Sequence, residues 1–228
     1  MSEKKQQESN EMVATYTRIE SFYIKNTRLI NIAVSAIVLI IAVIILMKTW
    51  YVPKQNEKAQ LAIWKAEEYF KFDQFQTALD GDSLYPGFLQ IIGKGNYRFT
   101  KTKRLAHYYA GICYLNLHDY DNAIKHLKKY KGSDTYVSAM AIGCQGDAYA
   151  EKGDYKTAIN KYEKAASKNP NDFTSPMYLM RAGILYERLN KNDDAADTYT
   201  KIKEDFPNSE FAKDIDKYIV RAETKIVE

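Results

Sequence analysis

The residues of this chain that could attack, ligate or transfer protons are few, and their spacing does not gather them into a site. Cys113 and Cys144 stand 31 residues apart. Two thiols hold a metal ion only with further ligands, and His107, His118 and His126 do not share a helical face at ligand spacing. Small and apolar, one residue before Tyr114 and two before Gly146, the cysteines read as buried packing residues and not as a disulfide. Gly93-Lys94-Gly95 invites a phosphate-loop reading, but that loop needs a glycine where Phe88 stands and Ser or Thr where Gly95 stands. Asp80-Gly81-Asp82-Ser83 opens like a calcium loop, yet Tyr85 replaces the glycine of its sixth position and Ile91 the bidentate glutamate of its twelfth, so a turn is expected. No G-x-S-x-G, H-E-x-x-H or Cys/His pairing is present. The expectation is a non-enzymatic protein with no catalytic, cofactor-binding or metal-binding residues.

What the chain has instead is a frame that recurs. Gly111, Tyr114, Ala123 and Leu127 are followed by Gly146, Tyr149, Ala158 and Tyr162, then by Gly183, Tyr186, Ala195 and Tyr199, with periods of 35 and 37 residues. The second and third copies close with Pro170 and Pro207. A period of this size marks stacked helical hairpins. Glycine within a first helix and alanine facing it on the second let two backbones approach, Tyr and Leu fill the space beside them, and proline stops the second helix. Gly-x-x-Tyr, Ala, a large residue four later and Pro resembles the tetratricopeptide repeat (TPR), most closely at 146–170, and the likeness covers about 100–207. His107, Ile142 and Leu179 stand where that family often has Trp. A fainter copy with Ala66, Tyr69, Phe75 and Ala78 precedes, separated by an insertion around 80–103. After Pro207, a segment with Phe211, Ile215, Tyr218 and Ile219 on one helical face would form the cap that a solenoid end requires.

The elements carrying this array begin with an apolar stretch near the N-terminus. Residues 29–47, from Leu29 to Met47, include only Asn31 and Ser35 as polar side chains and no charge. As a helix they reach roughly 28 Å, the thickness of a hydrocarbon core. Trp50 and Tyr51 at one end and Phe22 and Tyr23 at the other suit the interfaces. Lys48-Thr49-Trp50-Tyr51 follows where a cleaved signal would have small residues, so an uncleaved anchor contacting membrane lipid is expected. The fold class expected is all-α: one N-terminal transmembrane helix, then an α-solenoid of TPR hairpins with a C-terminal capping helix. Its divisions are a polar tail with a short amphipathic juxtamembrane helix over 1–27, the transmembrane helix over 28–52 and a soluble domain over 53–228. Residues 1–11 read as disordered, and Val13, Tyr16, Ile19 and Tyr23 as the amphipathic face. Arg18, Lys25 and Arg28 before the span balance Lys48, Lys54 and Lys58 after it, so charge does not orient it.

The net charge is +4, and residues 1–28 hold five basic and four acidic groups, leaving +3 for the rest. That is no nucleic-acid footprint. The densest basic run, 125–131, reads as an exposed second helix.

By the TPR resemblance, the slots facing a binding groove fall on the first helices. They are Leu105, Tyr108, Ile112 and Asn116; then Met140, Gly143, Asp147 and Glu151; then Met177, Met180, Ile184 and Arg188. The partner-binding residues expected among them are Tyr108, Ile112, Asn116, Met140, Asp147, Met177, Met180, Ile184 and Arg188, an apolar face with sparse polar points and pliable methionines. Tyr108 and Ile112 stand where a carboxylate clamp would need polar groups, and only Arg181 is placed for one.

Glu20, Phe22 and Asn26 before the apolar stretch, with the Trp50-Tyr51 exit, also resemble the YfgM-type family of inner-membrane proteins. That resemblance implies a cytoplasmic N-terminus and a periplasmic TPR domain. It further implies an ancillary subunit of the SecYEG translocon, working with a membrane-anchored periplasmic prolyl-isomerase-like chaperone on nascent secretory proteins. A TPR adaptor of another envelope machine, for cell-wall synthesis, outer-membrane assembly or secretion, and a cytosol-facing import receptor remain alternatives.

Overall fold

The structure, a computed structural model, describes the backbone of residues 2–224 and the side chains of residues 14–18 and 20–224. Among the described residues it is helical apart from turns and one isolated bridge, Gly81 to Pro86, and it divides into two compact units after Pro53.

In the first unit, helix α1 runs Ser2–Leu46. The polar tail expected to be disordered is therefore helical. The tail extends a helix that the apolar stretch already sustains, so no new nucleation is needed. Of the expected amphipathic face, Tyr16 and Tyr23 are exposed, while the side chains of Val13 and Ile19 lie outside the described residues. Leu29, Ile32, Val38, Leu39 and Leu46 are all more than half exposed, and none of the most apolar window is buried. This helix is long and apolar enough to cross a membrane. A π-helical turn, Met47–Tyr51, follows, closed by the Val52 N–H on the Met47 carbonyl. The cause is Pro53, which has no N–H for the carbonyl of Thr49 and whose ring would strike it.

The second unit is a run of helical hairpins. Helix α2 (Val52–Lys71) leads, followed by α3 (Phe75–Asp80) and α4 (Phe88–Gly93). Three regular hairpins come next: α5 (Lys101–Asn116) with α6 (Tyr120–Leu127), α7 (Val137–Glu151) with α8 (Tyr155–Ala166), and α9 (Thr174–Arg188) with α10 (Asn192–Asp205). A 3-10 turn, Glu210–Asp214, leads into the capping helix α11 (Ile215–Thr224). There Ile215 and Ala222 are buried, with Phe211, Tyr218 and Ile219 packed against them as the sequence pattern requires.

All four first helices stop in one way. Asp73, His118, Gly153 and Asn190 take a left-handed φ of 57°, 62°, 79° and 56°. The residue after each donates its N–H back to the carbonyl of Tyr69, Tyr114, Tyr149 or Tyr186, the tyrosine of the repeating frame. That bond satisfies a carbonyl that the helix end would otherwise orphan, and it reverses the chain into the second helix. Asp119 and Asp154 then cap α6 and α8, accepting from the N–H of Asn122 and Thr157.

Within each hairpin the frame glycine sits beneath the large residue that closes the frame. A Cβ would lie 2.5 Å from Leu127 at Gly111, 2.6 Å from the Tyr162 ring at Gly146 and 2.3 Å from the Tyr199 ring at Gly183. The glycine's partner is thus that large side chain more than the alanine, although Gly146 also approaches the Ala158 carbonyl.

The insertion at 80–103 belongs to the core. Gly81 and Gly87 press together so closely that a Cβ on either would meet the other's backbone nitrogen within 2.4 Å. The loop is pinched shut there, and α4 resumes where α3 stopped. Phe88 and Ile91, both fully buried, pack with Ala78, Leu79 and Ala110. Burying such side chains contributes about 1.5–3 kcal/mol each, which fixes the segment as the missing part of the leading hairpin. The turn at Asp82 forms as expected. Its carboxylate accepts the N–H groups of Leu84 and Tyr85 at 2.8 and 2.6 Å and the Tyr69 hydroxyl.

Candidate binding surface

Helix α5 packs against α7 and α7 against α9, so the first helices form one layer along the array. A cleft of about 450 Å3 opens in it between α2 and α5. Gln60, Ile63 and Glu67 line one side and Arg104 and Leu105 the other, with Tyr130 and 132–134 at the end. Ile63 and Leu105 supply apolar surface. Desolvation raises the Glu67 carboxyl pKa, against a smaller lowering by Lys71. Arg104 is steadied by a 2.9 Å bond to the Lys131 carbonyl. Such a cleft offers a small apolar seat with charges of both signs around it, Glu67 and Asp134 against Lys101 and Arg104, which suits a peptide side chain flanked by polar backbone.

The residues expected to bind partners fall into three groups. Tyr108, only 6% exposed, packs with Leu127, Ala141, Ile112 and Met140, and its hydroxyl points to the Met140 sulfur at 3.9 Å. Met177 and Met180 are half-buried in two different clusters, so the three methionines lie in separate packing units. Asn116, Ile184 and Arg188 are open, with Ile184 46% exposed. The Asn116 amide caps the Ile112 carbonyl, and the Arg188 guanidinium stands 4.6 Å from the Tyr155 ring centroid. Of the further groove slots, Gly143 is buried under the Tyr178 ring and Glu151 is exposed.

Asp147 is half-buried in a polar knot joining three helices. It accepts the Tyr162 hydroxyl at 2.8 Å and pairs with Arg181. Glu187 repeats the device, accepting the Tyr199 hydroxyl at 2.7 Å and the Arg221 Nε at 3.0 Å. Asp147 to Glu187 and Arg181 to Arg221 are each 40 residues, whereas Tyr162 to Tyr199 is 37. The acid and base have slipped about one helical turn against the frame. A search at the frame period therefore misses them, and Arg181 is committed to Asp147.

Two histidines that look unrelated in sequence meet. His107 on α5 and His126 on α6 bring their Nδ1 atoms to 3.3 Å, with the Tyr114 ring 5.3 Å from His126. Among the described residues no His, Cys, Asp or Glu joins them as a third ligand. Burial lowers both pKa values to about 4, helped for His107 by His126, Lys129 and Lys103 and for His126 by Lys129 and Lys125. Cys113 and Cys144 are free thiols, held in the protonated form by burial, which raises each pKa to about 12.

A family model described as TPR repeat matches residues 146–175, and one described as Tetratricopeptide repeat matches 105–133 and 178–209. The array is built of tetratricopeptide repeats. The matched segments overlap the three regular hairpins, that over 146–175 beginning within α7 and reaching the start of α9, and the TPR register places α2 as a leading first helix. Gln60, Ile63 and Glu67 then occupy the offsets from Ala66 that Leu105, Tyr108 and Ile112 occupy from Gly111. Those three cleft residues were readable by that count, but the degenerate leading copy hid them. TPR arrays serve as protein-interaction scaffolds, typically without catalysis, so the partners are proteins. A comparison with curated proteins finds no match to this chain.

Proposed function

We propose that this protein is a membrane-anchored TPR scaffold of the bacterial inner membrane, with its N-terminus cytoplasmic and its TPR domain periplasmic. In this reading it is an ancillary subunit of the SecYEG translocon and acts with a membrane-anchored periplasmic prolyl-isomerase-like chaperone on nascent secretory proteins. The observation that carries the reading is the joining of an uncovered apolar helix to a TPR array with an open cleft between its first helices. The likeness to the YfgM-type family supplies the partner. The cleft and the open residues Asn116, Ile184 and Arg188 would contact it. Tyr108, Ile112, Met140, Met177 and Met180 would shape the surface from beneath, and Asp147 would hold α7 to α9.

The test is a photo-crosslinking residue at Leu105 or Ile184 in the full-length protein in cells, followed by identification of its neighbours. SecYEG subunits and a prolyl-isomerase-like chaperone are expected, and Ile184→Asp should weaken their capture by about 2 kcal/mol, the scale of an interface hot spot. A reproducible set of cell-wall or outer-membrane factors in their place would make the protein the scaffold of another envelope machine. Protection of the TPR domain from protease in spheroplasts would make it a cytosol-facing receptor.

A further inference from the structure

A second groove adjoins the cleft between the first helices, with Tyr130 and Gly132 lining both. It has a volume of about 460 Å3 and runs between α6 and α8 with α7 as its floor. Lys128 and Lys131 stand on one side and Lys161, Lys164 and Lys168 on the other. Lys161 and Lys164 stand one turn apart on α8 with Lys168 in the turn that follows it, and Lys128 and Lys131 lie in the chain just after α6, so each wall is a short stripe of ammonium groups. On the floor Ile142 is the partly exposed apolar residue, flanked by Ser138 and Gln145, while Leu127 and Ala141 are buried beneath it.

Among the described residues none of these five lysines is in an ion pair. Lys161 reaches only the Gln145 amide oxygen, at 3.1 Å, and Lys128 the Tyr149 hydroxyl, at 3.4 Å. The nearest acid on α8, Glu163, accepts the Tyr186 hydroxyl on the far side. Burial lowers the Lys161 pKa, with Lys128 and Lys164 adding to it, so the ammonium groups feel one another across the groove. Some lysines of this domain pair with acids, as Lys152 does with Asp121 and Lys203 with Asp216, whereas these five are gathered around one groove. Five like charges left together repel one another, and a ligand of opposite charge relieves that cost.

We propose that this groove is a second docking site, for an extended acidic segment of a partner protein. An extended chain sends alternate side chains to opposite sides, so its carboxylates would meet both lysine stripes while apolar residues lie on the floor. A phosphate group would use neither the apolar floor nor the length of the stripes. The basic run at 125–131, which reads in sequence as a solvated helix face, supplies one wall; the other wall comes from the next repeat.

The test uses the full chain in an uncharged detergent and a fluorescein-labelled peptide of alternating Glu and Leu, with a Gln and Leu counterpart and inorganic tripolyphosphate as the other probes. Binding is read by anisotropy. The acidic peptide should bind, weaken as salt rises, and lose roughly tenfold or more in affinity in the K161Q/K164Q/K168Q variant. A variant with the same loss of charge elsewhere, K71Q/K201Q/K213Q, should bind as the parent does. Equal binding by the first variant, equal loss in the second, or tighter binding of tripolyphosphate than of the peptide would each overturn the proposal. None of these outcomes depends on whether the translocon is the partner.

Discussion

The pair formed by His107 and His126 ties the fold to pH. Both rings are 8% exposed, face each other, and have three lysines around them, Lys103, Lys125 and Lys129. Their folded pKa values, about 4, lie below the ordinary histidine value of 6.5. The unfolded chain therefore binds more protons between those limits, and stability rises with pH across the window. The contribution is fully present above pH 6.5 and is lost as pH falls toward 4, on the order of 3 kcal/mol for each ring. Melting of the full chain in detergent should move down steadily from pH 7 to 5. An H107F/H126F variant should be flatter over that range, where few carboxylates titrate. A parent melting point unchanged between pH 7 and 5 would show that the rings are solvated.

At the scale of the element, the turn from first to second helix is the feature all four repeats share, yet only one of its four left-handed positions is glycine. Asp73 and Asn190 tolerate that conformation through short polar side chains, while His118 is held in it with its ring on the Tyr120 hydroxyl at 3.0 Å. Gly153 isolates the backbone contribution, because a Cβ placed there meets nothing within 4 Å. Gly153→Ala should therefore destabilise by about 1–2 kcal/mol through φ alone and lower Tm by about 2–8 °C. Thermal denaturation followed by circular dichroism measures it. No change would mean that the α7–α8 turn relaxes to a negative φ without cost.

Taken whole, the molecule couples a segment that water would not solvate to an array that binds through its surface. Residues 29–47 carry no charge, and none of their side chains is buried. In the anchored form proposed above, their burial in hydrocarbon would outweigh any surface electrostatic attachment. Alkaline carbonate or high-salt washing of membranes should leave the full-length chain in the pellet. Recovery of a soluble, shortened protein beginning near Trp50 would mean that the stretch is a cleaved signal.

Helix, hairpin and repeat register were legible in the sequence because each is written locally. Gly111, Gly146 and Gly183 mark where a large side chain of the same hairpin must seat, and the tyrosines three residues on mark where each first helix stops. The turn at Asp82 and the cap around Ile215 were readable for the same reason. Contacts between repeats were not. The pairing of Arg181 with Asp147 and of Arg221 with Glu187, and the lysine groove between α6 and α8, join residues up to 40 positions apart. Their partners are set by how one hairpin is rotated on the next. The core role of Phe88 and Ile91 was hidden likewise, because a break in the repeat period conceals a helix that resumes after a pinched loop. Only the tertiary structure decides these, since repeat packing is a sum of many weak side-chain contacts whose register no single residue announces.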